Sequence, residues 1–280
     1  MSQGEDQRAA SRLEVLGCPL DVVTMDQTVA RCEQAIASGR YLQHMSVNAA
    51  KLVALGDDPE MHKMIASCEL ITADGQSVVW AARLLGARLP ERVAGIDLMT
   101  RLLEAADAKG YGVYVLGAQH EVLDTALERL RERYPRLRVA GSRDGYYADD
   151  EAGAVCEEIR ASGADILFVA MSSPRKEYFL GERGEALGVP FTMGVGGSID
   201  VIAGLTRRAP RLLQRAGLEW AYRLAQEPRR LARRYVVTNA RFAWIVLRAL
   251  LTRRGSAVVC PAPGEPSAAA TRTEPTAPPR

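Results

Sequence analysis

The 280-residue sequence has no long apolar run, no paired cysteine spacing and no metal or nucleotide signature. Its longest apolar stretch, residues 235–251, is broken by Arg241 and Arg248 and falls short of the ~20 apolar residues that span a bilayer, so no transmembrane helix is expected. The five cysteines (Cys18, Cys32, Cys68, Cys156, Cys260) are odd in number, scattered and free of Cys-x-x-Cys spacing. That argues against a disulfide framework or a zinc site and fits a reducing cytoplasm. The N-terminus is polar and charged through Arg12, without the apolar core of a signal peptide, so export is not expected. The three histidines (His44, His62, His120) have no ligand spacing, and no Asp-x-Asp pair is present to hold a metal-bound diphosphate. No metal and no other cofactor is therefore expected. A Walker Gly-Lys-Ser/Thr is missing too, and in Gly194-Val195-Gly196-Gly197-Ser198 the last glycine of a Gly-x-Gly-x-x-Gly fingerprint is replaced by Ile199. A dinucleotide or P-loop reading is weak on both counts.

What is present is an uneven distribution of charge. The net charge of +2 conceals residues 205–254, which hold thirteen Arg, two Glu and neither Lys nor Asp, against a net −9 over residues 1–204 and zero over residues 255–280. A block of +11 calls for a polyanionic partner: an anionic membrane surface, a phosphorylated substrate or nucleic acid. Within it Trp220, Tyr222, Tyr235 and Trp244 alternate with Arg223, Arg229, Arg230, Arg233 and Arg234, a composition suited to a helix lying on anionic lipid. A solvated helical face is the plainer alternative. No nucleic-acid-binding module is recognisable, so nucleic acid is not an expected partner.

Ahead of this block, β-branched or aromatic runs at residues 41–47, 70–73, 112–116, 137–140, 166–171 and 189–193 read as strands. Helical periodicity fills residues 25–38, 49–56, 76–86, 97–109, 121–134, 150–162 and 175–187. The alternation predicts an α/β, Rossmann-like, mainly parallel sheet with helices on both faces, followed by a C-terminal Arg-rich helical appendage. The expected division is a disordered N-terminus at 1–11, the Rossmann-like domain at 12–204, the appendage at 205–254 and a disordered tail with six prolines at 255–280.

Polar residues and glycines gather after these strands: Ser46 and Asn48, Asp74-Gly75, Gly117, Ser172-Ser173-Pro174 and residues 194–198. The carboxyl edge of an open α/β sheet is where ligands bind, so these segments are expected to converge on one site. Asp74 there suits a general base, although an Asp before a helix is more often its N-cap. Arg92 suits an anion holder or an ion-pair partner of Asp97, and Asn48 suits a substrate contact or a helix cap. Residues 194–198 suit a main-chain phosphate cradle or a plain strand–helix turn.

Taken together, the ordered blocks resemble the WecG/TagA/CpsF glycosyltransferases (glycosyltransferase family 26) from about Val15 to about Arg234. They include Ser46-Val47-Asn48, Ala73-Asp74-Gly75, Glu91-Arg92-Val93-Ala94-Gly95-Ile96-Asp97-Leu98, Val115-Leu116-Gly117 and Gly141-Ser142-Arg143-Asp144-Gly145-Tyr146-Tyr147. Further along they include Gly194-Val195-Gly196-Gly197-Ser198-Ile199-Asp200, Arg208-Ala209-Pro210 and Gly217-Leu218-Glu219-Trp220-Ala221-Tyr222-Arg223-Leu224. The resemblance implies transfer of a sugar, with inversion and without a required divalent metal, from a UDP-sugar to a polyprenyl-diphosphate-linked saccharide. The expected place is the cytoplasmic face of the cell membrane, and the expected products are teichoic-acid linkage units, common antigen, exopolysaccharide or capsule.

By the same resemblance Asp74 is the base, Asn48 orients the acceptor or sugar, and Arg92 lies near the leaving diphosphate. Ser46, Asp97, Gly117, Tyr146, Lys176, Gly194, Gly196, Gly197 and Asp200 are the implied substrate-binding positions. Arg207, Arg208, Arg211 and Arg223 are expected to close over the lipid diphosphate from the appendage. Two departures stand out: Ser46 replaces the family's usual Thr, and Lys176, in Ser172-Ser173-Pro174-Arg175-Lys176-Glu177, replaces its usual Gln with a cation suited to a phosphate or an acidic sugar. The expected partners are the UDP-sugar, the lipid-linked acceptor, an anionic membrane surface and, among assemblies, a homo-oligomer. A non-catalytic lipid- or anion-binding module on a degenerate version of the same domain is the alternative from another class.

Overall fold

The computed structural model of the chain describes residues 12–252 and the short segment 258–260. Residues 1–11 and most of 255–280, the two stretches expected to be disordered, lie outside the described residues. In chain order the strands are β1 (Arg12–Val15), β2 (Cys18–Asp21), β3 (Leu42–Val47), β4 (Leu70–Ala73), β5 (Gly112–Gly117), β6 (Arg138–Arg143), β7 (Ile166–Ala170), β8 (Phe191–Gly194) and β9 (Val258–Cys260). Six of them form one sheet in the order β4-β3-β8-β7-β5-β6, parallel at every pairing. The expected Rossmann-like α/β fold is the observed one. β5 and β7 are buried along their whole lengths, as strands covered on both faces must be.

The helices are α1 (Met25–Ser38), α2 (Ala49–Leu55), α3 (Pro59–Ala66), α4 (Gln76–Leu84), α5 (Gly95–Lys109), α6 (His120–Arg133), α7 (Ala152–Ala161), α8 (Arg175–Arg183), α9 (Ser198–Ile202), α10 (Arg211–Arg215), α11 (Glu219–Gln226) and α12 (Pro228–Thr252). Their stops are written locally. A capping box between Thr24 and Gln27 opens α1 and left-handed Gly39 closes it. Asp58 caps α3 with Pro59 in its first turn, a signal present in the sequence although no helix was expected there. The single helix expected over 175–187 ends at Arg183 and resumes as a 3-10 turn at Glu185–Leu187.

Helices α1, α5 and α6 bury Leu102, Leu103 and Leu127 with Val115, Phe168 and Phe191 on one face of the sheet. The opposite face carries two clusters, one joining α2, α3 and α4 to Met45, Val47 and Ile71, the other joining α7 and α8 to Leu167 and Val169.

The hairpin β1–β2 was not expected. It sits beside β4, an edge strand of the sheet, where Asp21 Oδ2 accepts the Ile71 N–H at 2.7 Å. Arg12 holds that carboxylate at 3.0 Å and also donates to the Cys68 and Glu69 carbonyls at 2.9 and 3.0 Å. A buried, fully bonded ion pair thus covers backbone groups that an open edge would expose. β9 pairs antiparallel with β1, inside the segment read as tail.

The Arg-rich region is helical, and it docks against the sheet domain. Phe242 and Val246 of α12 are buried in the same cluster as Leu52 and Val53 of α2, and Arg241 grips Asp57 at 2.7 and 2.8 Å. Gly217, with φ +65, lets the chain cross Trp80 so closely that a Cβ would stand 2.9 Å from the ring. Among the described residues, no helix is long and apolar enough to cross a membrane.

Gly117 closes β5 with φ +122, and a Cβ there would lie 2.5 Å from the Ala170 carbonyl carbon. Gly117→Ala is therefore expected to destabilise the fold by about 1–3 kcal/mol, read as the shift in a urea midpoint. An unchanged midpoint would show that β5 and β7 can separate at no cost.

Candidate active site

β4 delivers Asp74 to the carboxyl edge. Its N–H bonds the Val47 carbonyl at 2.9 Å, which continues the ladder for one more residue beside β3. The carboxylate does not cap α4: Gly75 occupies that N-cap position and makes no side-chain cap bond. Asp74 Oδ1 instead accepts the N–H of Gly95, the first residue of α5, at 3.2 Å. Gly95 is the close neighbour of the whole cluster, since a Cβ on it would stand 3.4 Å from Ser46 Oγ and 3.6 Å from Asp74 Oδ2. Burial raises the Asp74 carboxyl above the ordinary aspartate range; Arg92 and the Gly95 N–H oppose that rise without cancelling it, and Glu219 adds to it. An aspartate that holds its proton more readily than usual is a better proton acceptor when ionised.

Asn48 is the N-cap of α2, its Oδ1 accepting the Lys51 N–H at 3.0 Å. The capping role read from the sequence is thus present, and the side-chain NH₂ makes no hydrogen bond among the described residues. Arg92 does not pair with Asp97. It donates to Glu219 Oε2 at 3.0 Å, while Arg208 forks onto Asp97, closing to 2.7 Å at Oδ2. Arg208 Nε also lies 4.0 Å from Glu219 Oε1. An alternating row Arg92, Glu219, Arg208, Asp97 therefore ties the appendage to the helix that faces Asp74. Of the other appendage arginines, Arg207 and Arg211 are exposed and Arg223 is half-buried.

The glycine loop after β8 is less available than its sequence suggests. The N–H groups of Val195 and Gly196 bond the Val169 carbonyl at 2.9 and 3.3 Å, and that of Ser198 bonds the Val195 carbonyl at 3.1 Å. Gly194 instead makes room for a side chain, since a Cβ on it would come within 3.0 Å of Lys176 Cδ, while Gly196 takes the left-handed φ of +48 that the turn requires. Asp200 stands in the first turn of α9, close to Gly197. On the other side of the sheet edge Gly117 meets Gly145, whose N–H bonds the Ala118 carbonyl at 3.0 Å. Tyr146 beside them is 73% exposed and is not brought to the Asp74 cluster.

Three charged groups at this edge were not singled out from the sequence. Lys51 Nζ donates to the Ser46 carbonyl at 2.7 Å and lies 3.1 Å from Glu177 Oε1, the same oxygen that Lys176 Nζ approaches to 3.0 Å. Lys51, Glu177 and Lys176 are each at most 10% exposed. Burial alone would raise the Glu177 carboxyl, but the two ammonium groups outweigh it and hold it below the usual glutamate range. His44, in the strand beneath, is pushed down to about 3 by burial and then by Lys51, so it is neutral near pH 7. The third group is Glu219, which lay inside a quoted block without a role assigned to it.

A parallel, doubly covered sheet with its carboxylate, serine, asparagine and cations on the carboxyl edge defines a Rossmann-like α/β protein with one candidate ligand site. The description "Glycosyl transferase WecG/TagA/CpsF family" fits residues 13–256. The chain belongs to that family, and is accordingly a glycosyltransferase of cell-surface polysaccharide synthesis.

Proposed function

We propose that the chain is an inverting glycosyltransferase that moves a sugar from a UDP-sugar to a polyprenyl-diphosphate-linked saccharide. The observation that carries this reading is the Asp74 carboxylate, raised by burial and fixed by the Gly95 N–H beside Ser46 at the sheet edge. The acceptor hydroxyl oxygen attacks the anomeric carbon, and Asp74 takes its proton. The bond from that carbon to the diphosphate oxygen breaks with its electron pair passing to UDP, and attack opposite the leaving group inverts the centre. Arg92, largely buried and adjacent in charge to Asp74, stabilises the negative charge that develops on the leaving diphosphate. Asn48 and Ser46 orient the sugar or acceptor from the end of β3.

The experiment is sugar transfer from a panel of UDP-sugars to a polyprenyl-diphosphate acceptor. Transfer with inverted anomeric configuration supports the reading, and absence of turnover with every donor returns the domain to a binding module.

Residues 205–254 form the lipid-facing appendage in this reading, peripheral at the inner membrane face. Leu212, Val236, Trp244 and Leu251 are 79%, 65%, 61% and 75% exposed among the arginines, the mixture that favours an anionic interface. Replacing Arg211, Arg223, Arg229, Arg230, Arg233 and Arg234 by Ala, while sparing Arg208 because it holds Asp97, is expected to cut flotation with anionic liposomes at least about tenfold. Unchanged flotation would remove the membrane role.

A further inference from the structure

Glu219 stands between two guanidiniums and satisfies only one of them. Its Oε2 accepts from Arg92 Nη1 at 3.0 Å, while its Oε1 lies 4.0 Å from Arg208 Nε. The second separation is too long for a hydrogen bond, and that Nε is fully buried without a hydrogen-bond partner among the described residues. A buried N–H left unmet is costly, so the place is shaped for more oxyanion than one carboxylate supplies. Glu219 acts electrostatically on Asp74, and Asp74 on Arg208, which puts the pair of arginines beside the candidate base. The row Arg92, Glu219, Arg208, Asp97 is balanced in charge as it stands. A diphosphate entering it adds negative charge in a partly buried place, where like charges repel strongly, so a carboxylate must give way. Asp97 is gripped by both arms of Arg208, closing to 2.7 Å. The Glu219 carboxylate accepts a single hydrogen bond among the described residues and is carried on α11, a helix that buries none of its residues. The chain enters α11 through left-handed Gly217, where it crosses Trp80. Glu219 is therefore the carboxylate that yields.

We propose that Glu219 is an internal stand-in for the donor's diphosphate and that α11 is the latch it closes. The diphosphate takes over Arg92 and the unmet Nε of Arg208, Glu219 withdraws, and α11 comes away from the sheet domain. The identity of this ligand rests on the reading of the chain as a nucleotide-sugar transferase. Because the same donors serve both anions, latch closure and diphosphate binding oppose each other, and each weakens the other by the same factor.

The test is equilibrium binding of UDP and of inorganic pyrophosphate to wild type and Glu219→Gln, with amide hydrogen exchange of residues 219–226 followed in the free and bound wild-type protein. Glu219→Gln removes the competing charge and is expected to bind both ligands at least about fivefold more tightly. A Glu219 that merely positions the arginines would give the opposite sign. Either ligand is expected to speed exchange over α11 in wild type, because the helix loses its hold on Arg92. Equal or weaker binding by Glu219→Gln, or exchange over α11 that the ligand leaves unchanged or slows, overturns the latch, and the transferase reading stands as long as wild type binds UDP. If pyrophosphate binds more tightly to the variant and frees α11 in wild type while UDP binds to neither protein, the donor reading falls and the latch stands as one worked by diphosphate alone. If neither protein binds either ligand, both fall.

Discussion

Asp74→Asn is expected to lower the turnover number by about 10²–10⁴-fold while leaving UDP-sugar affinity within a small factor. The substitution keeps the size of the side chain and an oxygen for the Gly95 N–H, and removes only the ability to take a proton. The effect belongs in kcat, because the proton moves in the transition state and not in the bound ground state. Burial places the Asp74 carboxyl above the ordinary range, so the wild-type rate should rise with pH through a value higher than that of a solvated aspartate. Stability should move the other way. A carboxylate whose folded pKa is raised destabilises the fold once it ionises, and that cost is relieved as pH falls through the folded pKa. Asp74→Asn should accordingly melt no lower than wild type near pH 7, and higher if the ionised group is strained there. Wild-type turnover in the Asn variant, with binding intact, would remove Asp74 from the role of base.

The same site shows where local sequence is a sufficient guide and where it is not. β7, Ile166-Leu167-Phe168-Val169-Ala170, is legible because five consecutive apolar residues fit a strand covered on both faces of an α/β sheet. Helix α1 is legible to the residue because its capping box and its left-handed glycine are both local. Asp74 was ambiguous because an Asp before a helix looks like a cap whether or not it is one. What settled it is the arrival of Gly95, 21 positions later, at the carboxylate. Arg92 and Asp97 looked like partners by proximity in the chain, yet their actual partners Glu219 and Arg208 lie 127 and 111 positions away. The hairpin was hidden for the same reason: the pairing of Arg12 with Asp21 acquires its purpose only where the edge of β4 meets it. Charge sums by region did foresee the basic appendage, but a sum carries no information on which arginine reaches the site. Lys51 was the least legible, one lysine in an apolar helix whose amine could equally have reached solvent.

Glu177→Gln is expected to cost about 3–5 kcal/mol of folding stability at neutral pH, the largest loss from any single isosteric change at the sheet edge. The amide fits the space, so packing is preserved. Two ammonium groups, each at most 10% exposed, then lose the carboxylate oxygen that both approach. The pH dependence follows from the sign of the shift. The folded Glu177 pKa is lowered by Lys51 and Lys176 against the opposing push of burial. Its contribution is therefore fully present above the unfolded glutamate value, about 4.3, and is lost as pH falls through the lower folded value. Urea unfolding of wild type and Glu177→Gln at several pH values should show a constant gap near neutrality that closes in acid. A gap below about 1 kcal/mol at pH 7 would mean that Glu177 is not what holds the two lysines in the interior.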